Sequence, residues 1–115
     1  MATGRTIVQN LFPGSYTATW TGVLNGETGV SADMPLDAAT RSIQVGGTFG
    51  VGGNVIIEGS NDNVNFFTLN NALGTALATV TAGALHSLDQ NCLFIRPRVS
   101  AGDGTTSINV ILVVV

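Results

Sequence analysis

From residue 15 onward, apolar and polar side chains alternate with a period of two, the spacing that sends successive side chains to opposite faces of an extended strand. Across residues 15–23, Tyr16, Ala18 and Trp20 fall on one face, with Thr17, Thr19 and Thr21 on the other. Residues 42–49 repeat the pattern, Ile43 and Val45 against Ser42 and Gln44, and residues 54–58 repeat it through Val55 and Ile57. Gly50, Gly52 and Gly53 lie between these two stretches and predict a reversal that joins them in a hairpin. Asn61-Asp62-Asn63 predicts a turn, followed by a return strand over residues 65–69 that carries Phe66, Phe67 and Leu69. Further strands are predicted over residues 76–81, 84–88, 93–100 and 106–115. In the stretch 93–100, Leu93, Ile95 and Val99 oppose Phe94, Arg96 and Arg98, and Pro97, which has no N–H to donate, predicts a sheet edge or a bulge. Asn25-Gly26 and Thr28-Gly29 supply turn chemistry, and residues 33–37 read as a loop or short edge strand because of Pro35.

No stretch has a strong helical period, so the expected fold is all-β: an antiparallel β-sandwich or jelly roll of about eight strands. One domain over residues 15–115 follows a separate N-terminal segment, residues 1–14, which ends in the breaker pair Pro13-Gly14. Ile7, Val8, Leu11 and Phe12 make that segment too apolar for a solvated tail, so it is expected to be an extended arm docked on its own domain or on a neighbour. The last strand adds a second constraint. If Ile108, Val110, Leu112 and Val114 pack inward, then Ile111, Val113 and Val115 sit on an outward face that a monomer rarely leaves bare. A charge-free, β-rich window of this kind is protected when it is central in a sheet or buried between subunits, and an oligomer is expected.

Composition narrows the function classes. Only 10% of the 115 residues are charged, with four basic residues, all arginine, against seven acids, for a net charge of −3. A nucleic-acid partner is not expected, because counterion release from phosphates needs clustered Lys and Arg. The single cysteine, Cys92, permits no internal disulfide and no site built on several thiolates. The longest apolar run covers residues 110–115, far short of a membrane span, and the first ten residues lack the apolar core of a secretory signal.

Candidate chemistry is sparse. His86 is the one histidine, and no strand-turn-helix elbow surrounds Ser60 or Ser87 to make a triad with it and Asp62 or Asp89. Cys92 has no lysine or patterned histidine to activate it and reads as a small core residue. The glycines 46–53 lack the Lys-Ser or Lys-Thr of a phosphate loop. Asp62, Asn61, Asn63 and Glu58 carry oxygens that calcium could use, but in no recognised loop spacing. No enzymatic activity, metal or cofactor is therefore expected. Tyr16, Trp20, Phe66 and Phe67 could form a sugar-stacking platform if exposed, although alternation sends Tyr16 and Trp20 to the core. Arg96 and Arg98 share a strand face from which they could bridge to a partner's acids.

Two stretches carry a resemblance. Val55-Ile-Ile-Glu-Gly-Ser-Asn-Asp-Asn-Val-Asn-Phe-Phe-Thr-Leu69 gives a strand, a Gly-Ser-Asn-Asp turn and an aromatic return strand; Phe94-Ile-Arg-Pro-Arg-Val99 then leads through Gly102-Asp-Gly-Thr-Thr106 into a valine-rich last strand. Together they resemble head decoration, or cement, proteins of tailed bacteriophages, and the turn is also similar to one in discoidin-like carbohydrate- or lipid-binding modules. The first resemblance implies a structural virion protein, made in the host bacterial cytoplasm. It would decorate and stabilise the outer capsid surface as a homotrimer that clamps neighbouring major capsid proteins. Ile7, Val8, Leu11 and Phe12 are then the candidate capsid contacts, and Arg96, Arg98, Ile111, Val113 and Val115 the candidate subunit-interface residues. The alternative is a tail or fibre module that recognises host glycan through Trp20, Phe66 or Phe67.

Overall fold

A computed structural model describes residues 2–3, 6–9, 16–34 and 40–115. Its strands are β1 (Ala2–Thr3), β2 (Thr6–Gln9), β3 (Tyr16–Leu24), β4 (Thr28–Gly29), β5 (Ala32–Asp33), β6 (Arg41–Thr48), β7 (Asn54–Ser60), β8 (Phe67–Thr68), β9 (Ala84–Ser87), β10 (Phe94–Ala101) and β11 (Ser107–Val114). They form two sheets packed face to face, the all-β sandwich expected from the alternation. One sheet runs β1-β4-β10-β7-β8, with β5 also on β10; the other runs β2-β3-β11-β6-β9. All pairs are antiparallel except β1 with β4.

The alternation read from the sequence is the alternation of burial. Tyr16, Ala18 and Trp20 from β3, Ile43 and Val45 from β6, Val55 and Ile57 from β7, Ile95 and Val99 from β10, and Ile108, Val110, Leu112 and Val114 from β11 fill the space between the sheets. Burying each of the valine, isoleucine and leucine side chains among them contributes about 1.5–3 kcal/mol, the main favourable term in a chain this poor in charge. A bulge keeps β3 in phase with its neighbour. Val110 pairs with Trp20 and Ile108 with Val23, so Thr21 and Gly22 together face Asn109, whose Oδ1 accepts the Gly22 N–H at 2.9 Å. The extra residue sends Val23 inward, where strict alternation would have placed Gly22.

Four expectations fail, each for a physical reason. The glycine reversal at residues 50–53 is not a hairpin, because β6 and β7 belong to different sheets and the segment crosses from one layer to the other. It is anchored from outside: the Asp103 carboxylate accepts the Val51 N–H at 2.8 Å, and the Thr106 hydroxyl donates to the Phe49 carbonyl at 2.7 Å. Residues 76–81 form no strand. Leu77 and Val80 are three apart yet both enter the core, which a period of two forbids; the chain turns between them and meets β7 through scattered bonds such as Val55 with Val80. Thr28-Gly29 is a short strand rather than a turn, with Thr28 opposite Arg98.

Pro97 lies neither on an edge nor at the bulge of β10, which falls between Val99 and Ala101. It pairs with Ile57 on one side, and on the other sits where the neighbour changes from β5, opposite Phe94 and Ile95, to β4, opposite Arg98. The Leu93 carbonyl accepts from Met34 and the Val99 N–H donates to Glu27 on that same side, so the N–H that proline lacks would have pointed into the gap. Gly29 makes the gap usable, since a Cβ there would stand 2.7 Å from Pro97 Cδ and from Trp20 Cδ1. Glycine is thus required under the proline ring and the indole, whose Nε1–H donates to the Val30 carbonyl at 2.7 Å.

Candidate functional site

The residues singled out by sequence fall into three places. The first is the outward face of the β2-β3-β11-β6-β9 sheet. Ile111 is paired with Thr19 and Gln44, and Val113 with Thr17 and Ser42; Leu85 and Ser87 extend the same rows across β9. Ile111 and Val113 are half-buried by these neighbours and Leu85 is exposed. β11 is central, flanked by β3 and β6, so its backbone edges are satisfied even though no other layer of the described residues covers its outward side chains. Among the described residues of this sheet Arg41 is the one charged side chain, and it faces inward. Val115, past the strand, is exposed and exchanges backbone hydrogen bonds with Thr40. Ile7 pairs in register with Ala18 and Val8 with Thr17, whereas Leu11 and Phe12 lie outside the described residues.

The second place is the outer surface of the other sheet. Glu58 on β7 stands opposite Arg96 on β10, with Arg98 one pleat along. The Glu58 carboxylate is buried and accepts from Arg96 Nε at 2.8 Å and Arg98 Nε at 3.4 Å, while the Arg96 guanidinium lies 3.6 Å from the centre of the Phe66 ring. Both arginines are therefore held within their own chain, and their half-exposed ends are what could reach a partner.

The third place is a cleft of about 580 Å³ at the β8 edge, lined by residues 59–62, 65, 67–69 and 90–92. Its floor is the buried Gly59, Leu69 and Cys92. Asp62 organises one wall: Oδ1 accepts from the Ser60 hydroxyl and from the Val64 and Asn65 N–H groups, and Oδ2 accepts from Asn65 Nδ2 at 2.9 Å. The Asn65 and Val64 N–H groups hold its carboxyl well below the usual carboxylate range. Across the cleft, Gln90 Oε1 accepts the Asn70 N–H at 2.8 Å, and Asn61 Oδ1 accepts the Leu93 N–H at 3.1 Å. Burial pushes the Cys92 thiol up, against the opposing pull of the buried Arg41 guanidinium 3.8 Å from its sulfur, so the group stays a protonated core thiol.

Sequence reasoning missed this cleft, because its members come from two segments, residues 59–69 and 90–92, that only tertiary packing joins. The signal that could have marked it is the density of side-chain amides in both segments, Asn61, Asn63 and Asn65 with Gln90 and Asn91. Trp20 does not belong to any exposed platform, being fully buried. Phe66 is occupied by Arg96, and Phe67, 72% exposed, stands alone at the cleft's lip. His86 lines a separate, smaller cleft with residues 71, 75–77 and 79–84, which shares no residue with the one holding Ser60 and Asp62. Among the described residues no three of His, Cys, Asp and Glu gather as a metal site.

No protein-family model matches the chain, and no curated protein matches it. Among solved structures the chain is similar to FeII HppE, with 13% identity over 96% of this chain and a TM-score of 0.38, and spans 56% of that protein's length. A likeness that distant carries no argument about chemistry.

Proposed function

We propose that this chain is a structural virion protein that decorates the outer surface of a bacteriophage capsid. Copies associate, as a homotrimer, and clamp neighbouring major capsid proteins. The observation that carries the reading is the charge-free outward face built on β3, β11 and β6, where Thr17, Thr19, Ser42 and Gln44 surround Ile111 and Val113. Such a face loses little on desolvation, since it holds no charge to strip of water, and it offers threonine and amide hydrogen-bonding groups to a matching surface. The resemblance of residues 55–69 and 94–106 to cement proteins supplies the setting. A protein present in many copies on a shell gains its grip from avidity, so each contact can be modest.

The test is co-sedimentation of the purified protein with phage shells that lack it. Saturable binding to expanded shells is expected, and its absence would sink the reading. Deleting residues 1–12 is expected to weaken shell binding while the far-UV circular dichroism stays β-rich; undiminished binding would remove Ile7, Val8, Leu11 and Phe12 from the capsid contact.

A further inference from the structure

We infer that the cleft at the β8 edge is a binding site for a neutral saccharide, a role separate from attachment to a shell. Its volume of about 580 Å³ lies within the range of ligand clefts. The case rests on which groups are already fixed and which are left over. A backbone N–H can only donate, so the Leu93 N–H forces Asn61 to present Oδ1 to it, and the Asn70 N–H does the same to Gln90. Asn61 Nδ2 and Gln90 Nε2 are left as donors with no partner among the described residues. Asn65 is tied the other way, its Nδ2 given to Asp62, which leaves Asn65 Oδ1 as an acceptor. Three amides are thus clamped by one end and offer the other, and a clamped side chain loses little entropy when a ligand arrives.

Phe67 supplies the second half of the argument. It is held by the pairing of β8 with β7 at Gly59, yet the residue is 72% exposed, at the lip of the same cleft. An exposed, backbone-fixed aromatic beside directed amide donors and acceptors matches a pyranose, whose C–H faces are apolar and whose rim alternates hydroxyl donors and acceptors. The charge selects the class further. The one ionised group on the lining is the Asp62 carboxylate, which accepts from hydroxyls and repels an acid, and Arg96 and Arg98 do not line the cleft. The ligand is therefore an uncharged sugar rather than a uronate, sialoside or phosphorylated glycan.

The test uses the intact chain labelled with 15N, titrated with maltotriose, cellotriose and N,N′,N″-triacetylchitotriose, and with a trigalacturonate as the acidic counterpart. At least one neutral trisaccharide is expected to move the side-chain amide signals of Asn61, Asn65 and Gln90 saturably, with the trigalacturonate weaker. Phe67→Ala, a change at an exposed position whose folded state the same spectra verify, is expected to weaken binding roughly tenfold. The inference is overturned if none of the neutral probes gives saturable shifts, if the shifts centre away from the cleft, if Phe67→Ala leaves the affinity unchanged, or if the acidic sugar binds better. Shell co-sedimentation by Phe67→Ala is expected to be normal, which keeps this result independent of the capsid reading.

Discussion

Gly59 is the residue on which the cleft and the core depend together. A Cβ there would stand 2.5 Å from Cys92 Sγ and 2.8 Å from Leu69 Cδ2, both in the packed interior. Neither side chain can retreat without opening the floor of the cleft, so Gly59→Ala is expected to destabilise the fold by about 1–3 kcal/mol through overpacking. Urea denaturation checks this as a lowered midpoint at unchanged slope, and Cys92→Ala in the same background is expected to recover part of the loss by vacating the contested space. At this scale the sequence was informative wherever periodicity decides. Trp20 and Cys92 were legible as interior residues because alternation or composition sufficed. The requirement for glycine at 29 and 59 was not legible, because it arises from Trp20, Pro97, Cys92 and Leu69 meeting the backbone across long sequence separations. Glu58 was hidden for a related reason. In the sequence it stands only as one of several oxygen donors that calcium could use, and only the register of β7 against β10 sets it between Arg96 and Arg98.

At the scale of elements, the crossing between β6 and β7 shows how a turn signal can be right and its consequence wrong. Glycines at 50, 52 and 53 do mark a reversal, but the choice between hairpin and corner is made by Asp103 and Thr106 in another loop. Asp103 accepts from the Thr105 hydroxyl at 2.7 Å, the Val51 N–H at 2.8 Å and the Thr105 N–H at 2.8 Å, and these bonds lower its carboxyl pKa from 3.8 to about 2. The thermodynamic sign follows from linkage. A carboxylate whose folded pKa lies below its unfolded value stabilises the fold fully above pH 4, and that contribution is lost as pH falls from about 4 to about 2. Thermal midpoints measured across this interval are expected to fall with pH, with Asp103→Asn reducing the slope. Asp62 adds to the same trend from the same upper limit and extends it to lower pH, because its pKa is held down further. Thr106→Val removes the bond to the Phe49 carbonyl from a site 2% exposed, and is expected to cost about 1–3 kcal/mol by the same denaturation assay.

At the scale of the whole molecule, the distribution of charge separates the two sheets. Glu58, Arg96, Arg98 and Asp33 belong to one; the other keeps only the inward Arg41 among its described residues. The sequence announced this in its last strand, where an inward row of Ile108, Val110, Leu112 and Val114 leaves Ile111 and Val113 facing out. It did not announce that β3 and β6 extend the same uncharged surface on both sides, because that follows from strand order. Three strands of 8 or 9 residues flanked by two of 4, rising about 3.4 Å per residue and about 4.8 Å apart, give a face on the order of 500 Å². Covering this face with an equal area of a partner would bury about 1,000 Å² in all, near the lower limit for a specific interface, so a single contact of this size would hold copies together weakly. Two copies of the same face meeting each other would close a two-fold pair, so the proposed trimer requires this face to meet a different patch of the next copy, with each copy making two such contacts around the ring. Light scattering on the purified protein is expected to give three chain masses. Ile111→Arg, placed at the centre of the face, is expected to reduce that to one chain mass with the circular dichroism unchanged, because a guanidinium would have to be stripped of water to enter the contact. Arg96→Gln tests the other candidate interface residues in the same way, since it disturbs the Glu58 cluster on the opposite sheet; an unchanged mass would remove Arg96 and Arg98 from the contact between copies. If Ile111→Arg and the unaltered protein both run as one chain, this face is not where copies meet, and the weight of assembly shifts to the contact with the shell itself.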